Sequence, residues 1–202
     1  MALLAYYRGD LDGAAALWRE NLPLLREYED RTGVAFAQSG LGLVAYCRGD
    51  YQLARQQLEE GLALSRIAGD KRYVSIALNG LAKVMGALRE PVRALALFRE
   101  SLSLRKEMGA RRGIAESLEG LAGMAGAAQG HHQRAARLFG AAAALRQTIG
   151  APVPLVERAE VDRNVAATRA QLDEVTFGAA WAEGQAMTME QAISFALETG
   201  NL

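Results

Sequence analysis

One feature constrains this chain more than any other: a segment that recurs four times, at intervals of 40, 40 and 41 residues. GDLDGAAALWREN starts at Gly9, GDYQLARQQLEEG at Gly49, REPVRALALFRES at Arg89 and GHHQRAARLFGAA at Gly130. Ala14, Ala54, Ala94 and Ala135 align. Four residues on stand Trp18, Leu58, Phe98 and Phe139, and four further on Leu22, Leu62, Leu102 and Ala143. A step of four is the stripe of a helix that buries one face. Repeats of this length are supersecondary units that bury their apolar faces by stacking on their neighbours.

A second helix precedes each of the later segments. Val34–Asp50, Val74–Glu90 and Ile114–Gly130 align without gaps and share Leu41-Gly42, Leu81-Ala82 and Leu121-Ala122. The unit is therefore helix A, turn, helix B, turn. Asp10 and Asp50 suit N-caps, because a short carboxylate accepts the free N–H groups of the next helix. Pro91 fits a first helical position, where no N–H is needed. Gly33, Gly69, Gly109 and Gly150 are assigned to the B-to-A turns, where glycine takes the left-handed conformation. Gly40, Gly42, Gly80, Gly86, Gly120, Gly123 and Gly126 lie inside A helices and are read as points of close helix approach. Gly120, Gly123 and Gly126 lack the strand, Lys and Ser/Thr of a phosphate loop.

Composition narrows the function. Basic and acidic side chains balance at 23 each, which gives bulk electrostatics no purchase on nucleic acid. A single cysteine, Cys47, excludes an internal disulfide framework and a cysteine-rich zinc site. No apolar run is long enough for a membrane span, and the start carries no basic region before an apolar one. The expectation is a cytoplasmic protein that contacts no membrane. Only Lys71, Lys83 and Lys106 are lysines, and with much Ala and Gly this composition suggests a GC-rich bacterial genome.

The layout resembles the tetratricopeptide repeat. The marks are small residues at Gly42, Ala82 and Ala122, then Ala54 and Ala94 twelve residues later, then bulky Leu58 and Phe98. HEAT-type hairpins also have periods near forty; the small-residue pattern and the Gly-Asp turns favour the tetratricopeptide reading. The resemblance implies an all-α solenoid, a right-handed superhelix of antiparallel hairpins. Residues 1–150 would form the repeats and 151–202 a helical cap. Phe177–Leu197 is similar to the close of the repeat arrays in large bacterial ATPase regulators of the LuxR type. That likeness implies a regulatory region that binds a protein or peptide, or alternatively a small inducer, with no enzymatic activity and no cofactor. The chain lacks the Walker and helix-turn-helix motifs of such regulators, which reads as a fragment, a short paralogue or an engineered piece.

By the 40-residue register the first A helix is short, so Leu3, Leu4, Tyr6 and Tyr7 lose part of a covering neighbour. Homodimerisation through that end is the expected remedy. Pro23 predicts a kink in the first B helix, placed at about Leu11 to Asp30. After Pro152 and Pro154 a polar helix is expected over about Leu155 to Leu172, and another over Asp173 to Gly184. Thr188 and Gln191 form a capping box for a last helix, Met189 to Thr199, whose Ile193, Phe195 and Leu197 would pack on Trp181.

The resemblance places the A helices on the concave face. The candidate binding residues there are Tyr6, Tyr7, Phe36, Ser39, Leu43, Tyr46, Asn79, Lys83, Glu116 and Glu119. Asn79 and Lys83, four apart, share a helix face and suit a carboxylate; alternatively Lys83 pairs with Glu116 or Glu119. The aromatic residues suit an apolar ligand, a partner helix or a dimer. Cys47 is read as a small buried residue. His131 and His132 are adjacent and diverge on a helix, unlike metal pairs spaced by four. No nucleophile, base and orienting group converge, and no metal site is expected.

Overall fold

The computed structural model describes residues 1–198, without the side chains of residues 128 and 129. Every regular element among them is an α-helix: α1 (Ala2–Tyr7), α2 (Leu11–Glu27), α3 (Arg31–Cys47), α4 (Tyr51–Ala68), α5 (Lys71–Ala87), α6 (Pro91–Glu107), α7 (Arg111–Gln129), α8 (His132–Thr148), α9 (Leu155–Arg169), α10 (Glu174–Gln185) and α11 (Met189–Leu197). The odd-numbered helices from α1 to α7 are the A helices of the repeat, and α2 to α8 the B helices. Helices α1 to α4 each pack on the next, and α7 packs on α8, as the tetratricopeptide-like solenoid class requires. The chain divides into two compact units: residues 1–97 with 154–156, and residues 98–153 with 157–202, so the division falls inside α6.

The turns are more regular than the repeat suggests. A left-handed residue stands at Gly9, Glu29, Gly49, Gly69, Arg89, Gly109, Gly130 and Gly150. They are 20 residues apart, except for one interval of 21, so A-to-B and B-to-A turns are of one kind. This corrects the assignment of Gly33. That residue lies inside α3, where its N–H donates to the Asp30 cap at 2.9 Å. Glu29 holds the left-handed position instead, at φ 52°. Asp10, Asp30, Asp50 and Asp70 all cap the helix that follows. Each such cap contributes about 1 kcal/mol. Helix α2 runs through Pro23 and ends at Glu27, short of the expected Asp30.

The A-helix glycines receive the bulky residue of the preceding B helix. A Cβ on Gly40 would sit 2.3 Å from the Trp18 ring, on Gly80 2.8 Å from Leu58, and on Gly120 2.2 Å from the Phe98 ring. The 40-residue register thus aligns a knob at 18, 58 and 98 with a hole at 40, 80 and 120. The close-approach reading of these glycines holds, and their helix-propensity cost of about 1 kcal/mol each is the condition for that contact.

In the first unit, Tyr6, Ala14, Ala15, Trp18, Leu22, Val34, Ala37 and Val44 form one core cluster. In the second unit, α9 lies over α7, with Asn164 above Gly123 and Thr168 above Gly126. α10 packs on α8, where Gly140 and Gly184 bring the backbones together: a Cβ on either would strike the other helix's carbonyl oxygen. Helix α9 therefore follows α7 and α10 follows α8 in the manner of one more hairpin. The capping box of α11 is present, Thr188 and Gln191 bonding reciprocally. α11 packs against α7 and α8. The Arg134 guanidinium lies 4.4 Å from the centre of the Phe195 ring and donates to the carbonyls of Phe195 and Glu198, closing the helix end. Thr199, the expected last residue of this helix, lies outside the described residues.

Candidate functional site

Eight of the ten candidate binding residues lie in the first unit and two in the second. Helix periodicity brings the first eight onto α1, α3 and α5, three A helices separated in sequence by their B partners. An aromatic chain joins them. Tyr7 meets Tyr6 with ring centres 5.8 Å apart, Tyr6 meets Trp18 at 6.3 Å, Trp18 meets Phe36 edge-on at 6.0 Å, and Phe36 meets Tyr73 at 5.2 Å. Such pairs add about 0.5–1.5 kcal/mol each beyond burial. The chain is mostly core: Tyr6 is 2% exposed, and its hydroxyl sits 3.8 Å from Cys47 Sγ. Cys47 itself is exposed, which corrects its reading as a buried apolar residue.

Ser39 is also buried. It faces Gly61 of α4 across the hairpin, and its hydroxyl has no hydrogen-bond partner. Asn79 is buried one turn before Lys83. Leu43 is half-buried and packs over Gly80. Tyr46 and Lys83 are half-buried, as are Tyr7 and Phe36. The Lys83 ammonium lies 6.0 Å from the centre of the Tyr46 ring, and Tyr51 flanks that ring at 5.8 Å. A cation over an aromatic face holds its charge without losing water on its outer side.

The two acids of α7 have local partners. Glu119 takes a two-pronged contact from Arg146 of α8, with Nε at 2.6 Å and Nη2 at 2.8 Å. Glu116 pairs with Arg105 at 3.1 Å. Arg105 also donates to the Gly113 carbonyl at 2.6 Å and the Ser117 hydroxyl at 3.0 Å. Burial alone would push the Arg146 guanidinium down; the hydrogen bonds and charge of Glu119, helped by Glu116 and Glu157, outweigh it and hold its pKa above the ordinary value. These acids are therefore packing elements of the second unit, held inside the fold by arginine.

Sequence reasoning missed Tyr73, Arg105 and Arg146. Tyr73 stands where the neighbouring units have Gly33 and Gly113, so an aromatic at a glycine position was the available signal. Arg105 and Arg146 occupy matching positions 41 apart, where the second repeat has buried Ser65. Basic residues that recur on an apolar stripe mark buried pairs. No group of three or more His, Cys, Asp or Glu among the described residues is placed to hold a metal ion. No helix among them is long and apolar enough to cross a membrane.

Compared with known families, residues 1–67 match the tetratricopeptide repeat. No curated protein matches the chain at a significant level.

Proposed function

We propose that the chain is a non-catalytic scaffold that binds a peptide or protein segment on the A-helix surface of its first unit. Tetratricopeptide repeats generally form protein-interaction scaffolds, and the match over residues 1–67 supports that use here. The observation that carries the reading is the Tyr46–Lys83 pair, an aromatic face topped by a cation on adjacent A helices. It suits a ligand that presents an apolar side chain next to a carboxylate. Phe36, Leu43 and Tyr7 extend the half-buried apolar surface. Tyr6, Ser39 and Asn79 support it from within, and the remaining candidates Glu116 and Glu119 belong to the second unit.

The setting we propose is the repeat region of a bacterial signalling or transcription regulator in the cytoplasm, with residues 151–202 closing the array. An inducer held in the same groove is the alternative ligand. Self-association through α1 belongs to the proposal as well, because Leu4 is 47% exposed there beside half-buried Leu3 and Tyr7. The test is a displayed peptide library selected on the full chain. Recovered peptides should share an apolar residue near a carboxylate and should lose binding to Tyr46→Ala and Lys83→Glu but not to Glu20→Lys, an exposed control on α2. Selection of no common sequence, or equal binding by all three variants, would overturn the reading.

A further inference from the structure

A cleft of about 370 Å³ opens in the second unit between α7, the start of α8 and α9. It exists because one face of α7 has lost its side chains. Gly123, Gly126 and Ala127 lie on that face, where the gapless alignment puts Leu43, Tyr46 and Cys47 in one earlier unit and Lys83, Gly86 and Ala87 in the next. The helix opposite is polar along one stripe. Asn164, Thr168 and Gln171 of α9 follow one another at helical spacing and line the cleft. His132 closes the end, and its Nδ1 is buried there without a hydrogen-bond partner among the described residues. The side-chain amides of Asn164 and Gln171 make no hydrogen bond among the described residues. The Thr168 hydroxyl donates to the Asn164 carbonyl at 2.9 Å, which leaves its oxygen able to accept a hydrogen bond.

We propose that this cleft is a binding site for a small, uncharged, planar heterocycle of the nucleobase class. Three features fix the class. No carboxylate, ammonium or guanidinium of the described residues lines the cleft, so a charged ligand would lose hydration without a counter-charge. Each carboxamide offers donors and an acceptor side by side, the pattern that reads the edge of a base or a ring amide. Ala127, Gly130 and Ala167 are exposed along the cleft and carry nothing larger than a methyl group, which admits the flat face of a ring. The volume falls within the range of small-molecule pockets. The site shares no residue with the Tyr46–Lys83 surface and does not depend on the peptide-binding reading.

The experiment is a calorimetric and NMR titration of adenine, uracil and nicotinamide into the full chain, repeated on two variants. Ala127→Leu fills the cleft from an exposed position, which leaves the core untouched. Asn164→Leu removes one carboxamide from a half-buried position. Unchanged thermal unfolding will establish that both variants fold. At least one heterocycle should saturate with Kd below about 1 mM, shift the resonances of His132 and Thr168, and lose at least about tenfold in affinity in each variant. The proposal is overturned if none saturates by about 10 mM, or if Ala127→Leu binds as well as the parent. Saturable binding of glucose with none of the three heterocycles would equally overturn the class assigned.

Discussion

Removing the carboxylate of Glu119 will unfold this protein more readily than removing both members of its ion pair. The Glu119 and Arg146 side chains are 8% and 5% exposed, and two hydrogen bonds of 2.6 and 2.8 Å join them. In Glu119→Ala the guanidinium stays buried with only the Ala151 carbonyl, 3.3 Å away, as a described hydrogen-bond partner. A buried charge stripped of its partner costs about 3–5 kcal/mol. At about 2–4 °C per kcal/mol for a chain of this size, the midpoint should fall by about 6–20 °C. Replacing both residues, Glu119→Leu with Arg146→Met, removes the charge along with its partner. The remaining loss is the Ala151 hydrogen bond, worth about 1 kcal/mol. Urea unfolding of the parent, Glu119→Leu, Arg146→Met and the double variant closes a double-mutant cycle. The coupling should be at least about 3 kcal/mol. The reasoning is refuted if Glu119→Ala costs under about 1 kcal/mol, or if the double variant costs the sum of the singles.

Three other expectations follow from the packing, the turns and the caps. Gly120→Ala sets a Cβ 2.2 Å from the Phe98 ring and should cost about 1–3 kcal/mol, with Phe98→Leu restoring part of it; denaturant midpoints decide, and an absence of rescue would separate the glycine from the knob. Glu29 and Arg89 hold left-handed backbone at φ 52° and 64°, so Glu29→Gly and Arg89→Gly should each stabilise by up to about 1 kcal/mol, and a loss of stability would show that their side chains matter more than their backbones. The Asp173 carboxyl is held below its ordinary pKa by the Thr176 hydroxyl and then by backbone N–H groups, so its cap is fully present above the ordinary carboxylate range. It is lost as pH falls through the lowered value, so protection of α10 amides should drop below about pH 4, and Asp173→Ala should flatten that dependence.

Much of this architecture was legible without coordinates because it rests on local rules. A helix stripe, a capping aspartate and a glycine turn each act within a few residues, so the 40-residue register exposed the hairpins and Pro91 as a helix start, and a three-residue spacing exposed the Thr188–Gln191 box. The same register hid the 20-residue turn spacing, because Glu29 and Arg89 occupy positions where glycine was the cue. The candidate site was less legible. An A-helix position marks which side of the hairpin a residue takes, but burial depends on what the neighbouring helix brings. Gly61 lets α4 close over Ser39, and the Trp18 ring closes over Tyr6.

The sequence by itself determined the helices, their order, the Asp10 and Asp50 caps and the close approach at the A-helix glycines, because each follows from periodicity and backbone conformation. Only the tertiary structure decided that Glu116 and Glu119 belong to buried arginines, that Cys47 is exposed beside the Tyr6 hydroxyl, and that the glycine face of α7 meets a polar stripe of α9. Those outcomes depend on pairs of side chains far apart in sequence, whose meeting is set by how closely two helices approach.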